Sequence, residues 1–167
     1  STNFYDHLTL TEQLKMFASL YGSKVDVAAL LAKVQLTEKA RNYVEQLSGG
    51  QKQRFAIAST LVNSPKVLFL DEPTTGLDPQ ARRNLWELIK QIREEGVTIV
   101  LTTHYMDEAE LLCDRLAIMD NGQIITTDSP HNLIQQLLKR GFKKKQVAEQ
   151  ANLEDVFIDL TGKAIRD

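Results

Sequence analysis

Two adjacent carboxylates end a short apolar segment in the middle of the chain. Asp71 and Glu72 directly follow Val67-Leu68-Phe69-Leu70. A continuous apolar run of this length is typical of a strand of a parallel sheet that is buried on both faces, and ligands bind at the carboxyl ends of such strands. One acid there can hold Mg²⁺, usually through water, while its neighbour points elsewhere and can polarise an attacking water. The alternative is that both acids simply end a strand.

A diglycine turn and a histidine add two groups that suit phosphate chemistry. Ser48-Gly49-Gly50-Gln51 precedes a helical pattern, so free backbone N–H groups and a hydroxyl would lie at the positive end of a helix dipole. The glycines would let a phosphate approach the backbone closely. His104 follows a second apolar segment, Val97–Leu101, so we expect it at the same sheet edge as the two acids, within reach of a terminal phosphate. The alternatives are an ordinary capped helix and a structural histidine.

The spacing of apolar residues predicts the elements that position these groups. Leu10, Leu14, Phe17 and Leu20 recur at the spacing of one helix face. Asn121-Gly122 between two short apolar segments indicates a hairpin. Helices are predicted over about 9–21, 26–34, 48–62, 78–95, 107–112, 129–138 and 153–160, and strands over 67–70, 97–101, 115–119 and 123–127. This alternation predicts an α/β fold with a mostly parallel sheet and a hairpin at its end.

The composition is that of an ordinary globular chain. The 167 residues are 43% hydrophobic and 25% charged, which excludes a disordered tail and a disulfide-stapled scaffold. A formal net charge of −2 provides no positive field to collect nucleic acid, so no nucleic-acid partner is expected. The single cysteine, Cys113, is compatible with a reducing cytosol. No apolar run approaches the roughly 20 residues of a membrane-spanning helix, so we expect any membrane contact to come through a partner.

Taken together, these motifs resemble those of ATP-binding cassette (ABC) ATPases, in the family's order and over essentially the whole chain. Ser48-Gly49-Gly50-Gln51 resembles the signature loop, and residues 67–73 resemble the Walker B strand with its catalytic glutamate. Thr74-Thr75-Gly76-Leu77-Asp78 resembles the D-loop, and His104 the switch histidine. Residues 4–9 and 153–162 resemble segments of cassettes from drug- and polysaccharide-export systems.

The resemblance implies a role for each of these positions. Ser48, Gly49 and Gly50 would hold the γ-phosphate of an ATP bound by a partner cassette, with Gln51 supporting the loop. Asp71 would bind Mg²⁺ through water, and Glu72 would be the general base that orients the attacking water. His104 would hydrogen-bond the γ-phosphate, and Asp78 would lie in the contact between subunits. A second ATPase subunit and membrane permease subunits are the implied partners. The implied location is cytoplasmic, peripheral on the inner face of the cell membrane.

Two of the family's motifs are missing from the sequence. A Walker A loop, G-x-x-x-x-G-K-[ST], and the Q-loop glutamine are both absent. We therefore expect the chain to be the C-terminal part of a longer cassette, an incomplete P-loop core that does not hydrolyse ATP alone. In related ATPases the Walker A strand lies between those matching 97–101 and 115–119. Without it the sheet must close up, stay split or borrow a strand from another chain.

A single partial domain with three segments is predicted. They are a helical subdomain with the signature loop over about 1–64, the Walker B and H-loop part of the core over about 65–140, and a helical tail over about 141–167. Arg54 either orients the signature loop or faces solvent.

One alternative function is an ABC-type ATPase of DNA repair or chromosome organisation, although residues 9–47 are too short for its coiled coils. Another is a catalytically silent fragment that only binds a partner.

Overall fold

The computed structural model describes residues 4–141. The predicted tail helix over 153–160 lies outside the described residues. The chain divides into two compact units, one ending at Pro130 and the other beginning at His131. All of the predicted site residues lie in the first unit.

Three helices form the N-terminal part of the first unit: α1 (Leu10–Tyr21), α2 (Val27–Lys33) and α3 (Gly49–Leu61). Thr9 caps α1 in the predicted capping box with Glu12, and Gly22 ends it in the left-handed region at φ 62°. The predicted apolar face of α1 is only partly correct. Leu10 and Leu14 are fully buried, and Ala18 is buried on the last turn, whereas Leu20 on the same turn is 71% exposed. Two short 3₁₀ helices, Thr37–Lys39 and Val44–Gln46, connect α2 to α3.

An alternation of strand and helix follows, as the sequence predicts. The elements are β1 (Val67–Asp71), α4 (Pro79–Glu94), β2 (Thr98–Thr102) and α5 (Met106–Leu112). The predicted inner face of α4 is confirmed, since Leu85, Leu88, Ile89 and Ile92 are all buried. One apolar cluster joins the helices to β1, and its members include Leu14, Leu31, Phe55, Leu68, Leu70, Leu85 and Ile92. This cluster fixes both strands on the helical layer and thereby sets where their carboxyl ends lie.

The strands form two separate pairs. Strands β1 and β2 are parallel and in register from Val67 opposite Thr98 to Asp71 opposite Thr102. The predicted hairpin consists of β3 (Leu116–Asp120) and β4 (Gln123–Asp128), which are antiparallel. Within residues 4–141 no ladder joins β2 to β3, so the sheet is split at the place where the related ATPases have their Walker A strand.

The expectation that the central strands are buried on both faces is wrong for this chain. The residues of β1 alternate between exposed and buried, with Val67 45% and Phe69 75% exposed. On β2, Val100 lies opposite Phe69 and is 45% exposed. The helices cover the face of Leu68 and Leu70, while no element of the described residues buries the other face. An exposed apolar face of this kind marks an interaction site or a liability for aggregation, so we expect the isolated chain to self-associate.

Replacing Phe69 by threonine is expected to reduce self-association with little change in stability. Threonine keeps the strand preference of the position but removes most of the exposed apolar area. Since Phe69 is mainly solvent-exposed, we expect the unfolding free energy to change by no more than about 0.5 kcal/mol. Light scattering and binding of the dye ANS measure the first effect, and urea unfolding measures the second. Phe69→Leu, which keeps an apolar side chain, should behave as the wild type; equal association of the threonine variant would contradict the prediction.

The second compact unit begins with α6 (Pro130–Lys139), of which Pro130 still belongs to the first unit. The helix presents Ile134, Leu137 and Leu138 as exposed apolar side chains. Among the helices within 4–141, none combines the length and apolar character needed to cross a membrane.

Candidate functional site

The carboxyl ends of β1 and β2 bring the two acids and the histidine to one edge. Asp71 and Thr102, the last residues of β1 and β2, lie opposite each other. The residues that follow the two strands therefore leave the sheet at the same edge. The Thr102 hydroxyl donates a hydrogen bond to Asp71 Oδ1 at 2.5 Å. The backbone N–H of Glu72 donates to the Thr102 carbonyl at 3.0 Å, which extends the ladder one residue past β1.

Glu72 and His104 are in direct contact. His104 Nδ1 lies 2.7 Å from Glu72 Oε2, and the hydroxyl of Thr75 donates to the same carboxylate oxygen at 3.2 Å. Glu72 has φ 47°, a left-handed conformation that is uncommon for a residue other than glycine. Strained backbone of this kind is found where the surrounding structure holds a side chain in place for function. The expected proximity of the second acid and the histidine is therefore confirmed, while the roles of both remain predictions.

The hydrogen bond from His104 lowers the pKa of the Glu72 carboxyl below its ordinary value. Partial desolvation opposes this effect, and the hydrogen bond from Thr75 reinforces it. The carboxylate is thus ionised at neutral pH. Because its pKa is lower in the folded chain than in the unfolded one, its contribution to stability is present at neutral pH and is lost as the pH falls through the folded value.

The predicted signature turn begins α3. Ser48 Oγ accepts from the N–H of Gln51 at 3.4 Å, and Gln51 Oε1 accepts from the N–H of Ser48 at 3.0 Å. This reciprocal capping box leaves the hydroxyl hydrogen of Ser48 unused by either bond. The N–H groups of Gly49 and Gly50 lie in the first turn, where a helix has no carbonyl partners for them. The turn therefore has the donors that an anion requires.

The two glycines have different surroundings. A Cβ atom on Gly50 would lie 2.8 Å from Cβ of Ala81, too close for real atoms, whereas one on Gly49 would lie 3.8 Å from Leu77 Cδ2. Ala81 is in the first turn of α4, and Leu77 is in the predicted D-loop. From the sequence, both glycines are expected to allow close approach of a phosphate. In the structure, a side chain at position 50 is also excluded by the close packing of α3 against the start of α4.

Asp78 is exposed and caps α4. Its Oδ1 accepts from the N–H of Ala81 at 2.8 Å, and Pro79 follows at the first helical position, as predicted. A structural role in this chain is thus established for Asp78, and the predicted contact with another subunit remains a prediction.

Arg54 is partly exposed, and neither of its predicted roles is tested. Its Nε is buried without a hydrogen-bond partner in the described part of the chain, and burial lowers the pKa of the guanidinium. A buried N–H group of this type normally has a partner, so the position is one where a loop or a ligand group can add a contact.

Asp71 fits a magnesium ion only in combination with a nucleotide. No cluster of three or more metal-ligating side chains occurs among residues 4–141. Mg²⁺ is commonly held by one or two carboxylates together with substrate phosphates and water. A single carboxylate at the end of β1, fixed by the Thr102 hydroxyl, matches that mode and does not match a site formed by protein ligands alone.

The predicted site is an open surface. A groove of about 630 Å³ lies between α1 and α2, lined in part by Lys15, Asp26 and Thr37. A second of about 500 Å³ lies near Lys33 and Glu95. Neither groove is lined by a predicted site residue, and the side chains of His104 and Glu72 are 60% and 37% exposed.

Three contacts of this site were not predicted from the sequence. Thr102 holds Asp71, Thr75 holds Glu72, and Tyr105 packs on His104 with ring centroids 4.1 Å apart. The threonines at the ends of β1 and β2 are visible as Thr74-Thr75 and Thr102-Thr103. The partner of Thr102 depends on the strand register, which a single sequence does not provide, whereas Thr75 meets Glu72 only three residues away in the chain.

Comparison with known proteins identifies the family. Residues 1–75 match the ABC transporter family. The chain is 46% identical over 138 residues to the Nod factor export ATP-binding protein I of Burkholderia orbicola (strain AU 1054). It is 41% identical over 138 residues to the linearmycin resistance ATP-binding protein LnrL of Bacillus subtilis (strain 168). The first match covers 80% of this chain and 45% of the relative, and the second 80% and 44%.

Solved structures give the same class of fold. The structure of an ATP-binding subunit of an ABC transporter superposes with a TM-score of 0.67 at 28% identity, covering 95% of this chain and 65% of that one. The ATP-binding cassette MJ1267 of an ABC transporter superposes with a TM-score of 0.69 at 23% identity, covering 83% of this chain and 62% of that one. The fold is thus that of an incomplete ABC ATPase core. Together these matches support an ABC transporter ATPase fragment, and the chain spans about 45% of the length of the curated relatives it matches.

Proposed function

We propose that this chain is the C-terminal part of an ABC cassette that hydrolyses ATP to drive export through membrane subunits. The contact between Glu72 and His104, 2.7 Å long at the carboxyl ends of two parallel strands, is the observation that supports this most directly. The export ATP-binding proteins among the relatives favour transport over DNA repair or chromosome organisation, as does the net charge of −2.

In this proposal Glu72 orients the attacking water by accepting a hydrogen bond from it. Water oxygen bonds to the γ-phosphorus, the bond to the bridging oxygen of ADP breaks, and the water's proton passes to the carboxylate or to the phosphate. Because His104 lowers the pKa of Glu72, the carboxylate is ionised and ready but is a weak base. Orientation and charge stabilisation are therefore its main contributions, and full proton removal is a smaller one.

We assign the remaining groups by their donors and charges. Ser48, Gly49 and Gly50 present a hydroxyl and N–H groups at a helix N-terminus, which suits the γ-phosphate of ATP bound on a partner cassette. Asp71 would hold Mg²⁺ through water, and the ion would neutralise charge on the phosphates. His104 Nδ1 is engaged with Glu72, which leaves Nε2 to face the γ-phosphate, and Nε2 can donate to that phosphate when the ring is the imidazolium, in which both nitrogens carry a proton.

We infer that other chains complete the exposed site. A second cassette would supply the Walker A face, and Asp78 at the exposed start of α4 would lie in the contact between the two. Membrane permease subunits would carry the substrate, which places the cassette on the cytoplasmic face of the membrane. The three predicted segments, about 1–64, 65–140 and 141–167, would be the helical subdomain, the second half of the core and the tail.

ATP hydrolysis by a version extended upstream tests the proposal. This extended cassette carries a Walker A segment upstream of residue 1, supplied from a complete cassette. We expect Mg²⁺-dependent release of phosphate from the extended cassette and none from the present chain alone. Absence of turnover in a folded extended cassette that binds ATP would instead support the silent-fragment alternative.

A further inference from the structure

The imidazole of His104 lies on the surface and needs to be held. Its side chain is 60% exposed, so solvent alone would leave several rotamers accessible. Besides the carboxylate of Glu72, it packs against the ring of Tyr105, the next residue, with centroids 4.1 Å apart and ring planes at 37°. That ring is the natural restraint on the imidazole.

Tyr105 is itself held by α4. The guanidinium carbon of Arg82 lies 4.4 Å from the centre of the Tyr105 ring, within the distance of a cation–π contact. Arg82 is also 3.8 Å from Asp107, and its Nε is buried without a hydrogen-bond partner in the part of the chain that the structure describes. An unpartnered buried N–H group is unfavourable. We therefore infer that the contacts around the Arg82 guanidinium hold it on the ring.

The backbone on both sides of Tyr105 is fixed as well. Its N–H donates to the Thr103 hydroxyl at 3.0 Å, and α5 begins directly after it. Helix α5 is tied to α4 by Trp86 Nε1, which donates to the fully buried Glu108 at 2.9 Å, and by Arg93, which donates to the Leu112 carbonyl at 3.0 Å. The ring of Tyr105 thus has a defined position relative to α4.

We propose that Arg82 and Tyr105 are positioning residues that hold the imidazole of His104 against Glu72. The sequence of contacts runs from α4 through the Arg82 guanidinium and the Tyr105 ring to the histidine. Asp78, the N-cap of α4, lies one turn before Arg82, so the proposed subunit contact and the histidine share one support. This inference rests on the proposed function for its effect on turnover, but its structural part does not.

Two measurements on the extended cassette test the proposal. The first is ATP hydrolysis: Tyr105→Ala should lower kcat by about 10- to 100-fold with KM for ATP within twofold of wild type, as expected when a reacting group is misplaced. Tyr105→Phe keeps the ring and should retain at least half of the rate. Arg82→Met should lower kcat by about threefold, and Arg82→Lys, which keeps a cation over the ring, should restore most of it.

The second measurement is the tautomer of His104 from ¹⁵N NMR, assigned with His104→Gln. The contact with Glu72 requires a proton on Nδ1, so in the neutral imidazole, without nucleotide, the Nδ1–H tautomer should dominate in the wild type and in Tyr105→Phe. In Tyr105→Ala it should give way to the Nε2–H form. A kcat for Tyr105→Ala within twofold of wild type, or an unchanged tautomer, would overturn the proposal.

The two proposals fail in different ways. If the wild-type extended cassette binds ATP but does not hydrolyse it, the proposed function fails, and the tautomer comparison still decides the role of Tyr105. If Tyr105→Ala does not fold, judged by circular dichroism, the pair Arg82→Met and Arg82→Lys decides. The proposal expects that only Arg82→Met lowers kcat and the share of the Nδ1–H tautomer. It is overturned if both variants lower these two quantities equally, or if neither variant lowers them.

Discussion

Glu72→Gln in the extended cassette is expected to lower the rate of ATP hydrolysis by about 100- to 1,000-fold, the usual cost of removing one group that stabilises a transition state. The amide keeps the shape of the carboxylate and can still accept from Thr75 and His104. It lacks the negative charge that orients the attacking water and can accept the proton of that water. The loss should therefore fall on kcat and leave the fold and the affinity for ATP almost unchanged.

Closure of two cassettes should survive this change. The proposed dimer contacts are made by the signature turn at Ser48 and by the start of α4, and Glu72→Gln alters neither of them. ATP should then accumulate in the closed dimer, which size-exclusion chromatography with light scattering will show as a stable species of twice the mass. Phosphate release under saturating ATP measures the rate.

A matched substitution separates the site from a general loss of charge. Glu94 is exposed near the end of α4, and Glu94→Gln removes the same charge at a distance from the proposed chemistry. It should hydrolyse ATP at the wild-type rate. If Glu72→Gln retains more than about a tenth of the rate, Glu72 does not hold the attacking water, and the assignment of the site must change.

Most of the secondary structure was predictable because its signals are local. The capping residues Thr9, Ser48 and Asp78 each start a helix as the sequence indicates, and the buried positions of α4 follow from their spacing. The hairpin about Asn121-Gly122 is likewise set by the turn residues alone. Each of these predictions depends on residues that are close together in the sequence.

Features that depend on neighbours distant in sequence were predicted less well. The apolar run of β1 indicates burial on both faces, yet Phe69 is exposed because nothing in residues 4–141 covers that side. The proximity of Glu72 and His104 was predictable from the rule that parallel strands share an edge. The contacts of Thr102 and Arg82 were not, because strand register and helix packing decide them.

Gly50→Ala is expected to destabilise the chain, by about 1–3 kcal/mol, because a methyl group forced into a packed contact moves its neighbours. The added Cβ would lie 2.8 Å from Cβ of Ala81, which sits on a helix and cannot rotate away. Alanine has a higher helix propensity than glycine, so propensity alone predicts that Gly50→Ala stabilises the chain. A loss of stability would therefore point to the contact with Ala81. The midpoint of urea unfolding, at unchanged slope, measures the effect.

Gly49→Ala is the matched control on the neighbouring residue. Its new Cβ would have its nearest neighbour at 3.8 Å, an ordinary contact, and Gly49 is not among the glycines with positive φ. We therefore expect it to be neutral or to stabilise the chain by up to about 1 kcal/mol through the unfolded state. A comparable loss in both variants would mean that the helix start, rather than the contact with Ala81, is responsible.

The double variant Gly50→Ala with Ala81→Gly identifies the cause. Ala81→Gly alone should cost about 1 kcal/mol as a glycine in a helix, but it removes the methyl group that Gly50→Ala meets. The two changes should be less destabilising together than the sum of the single effects, with a coupling of about 0.5–2 kcal/mol. If Gly50→Ala instead unfolds like the wild type but abolishes ATP hydrolysis by the extended cassette, approach of a phosphate is the reason for this glycine, and the packing of α3 on α4 is not.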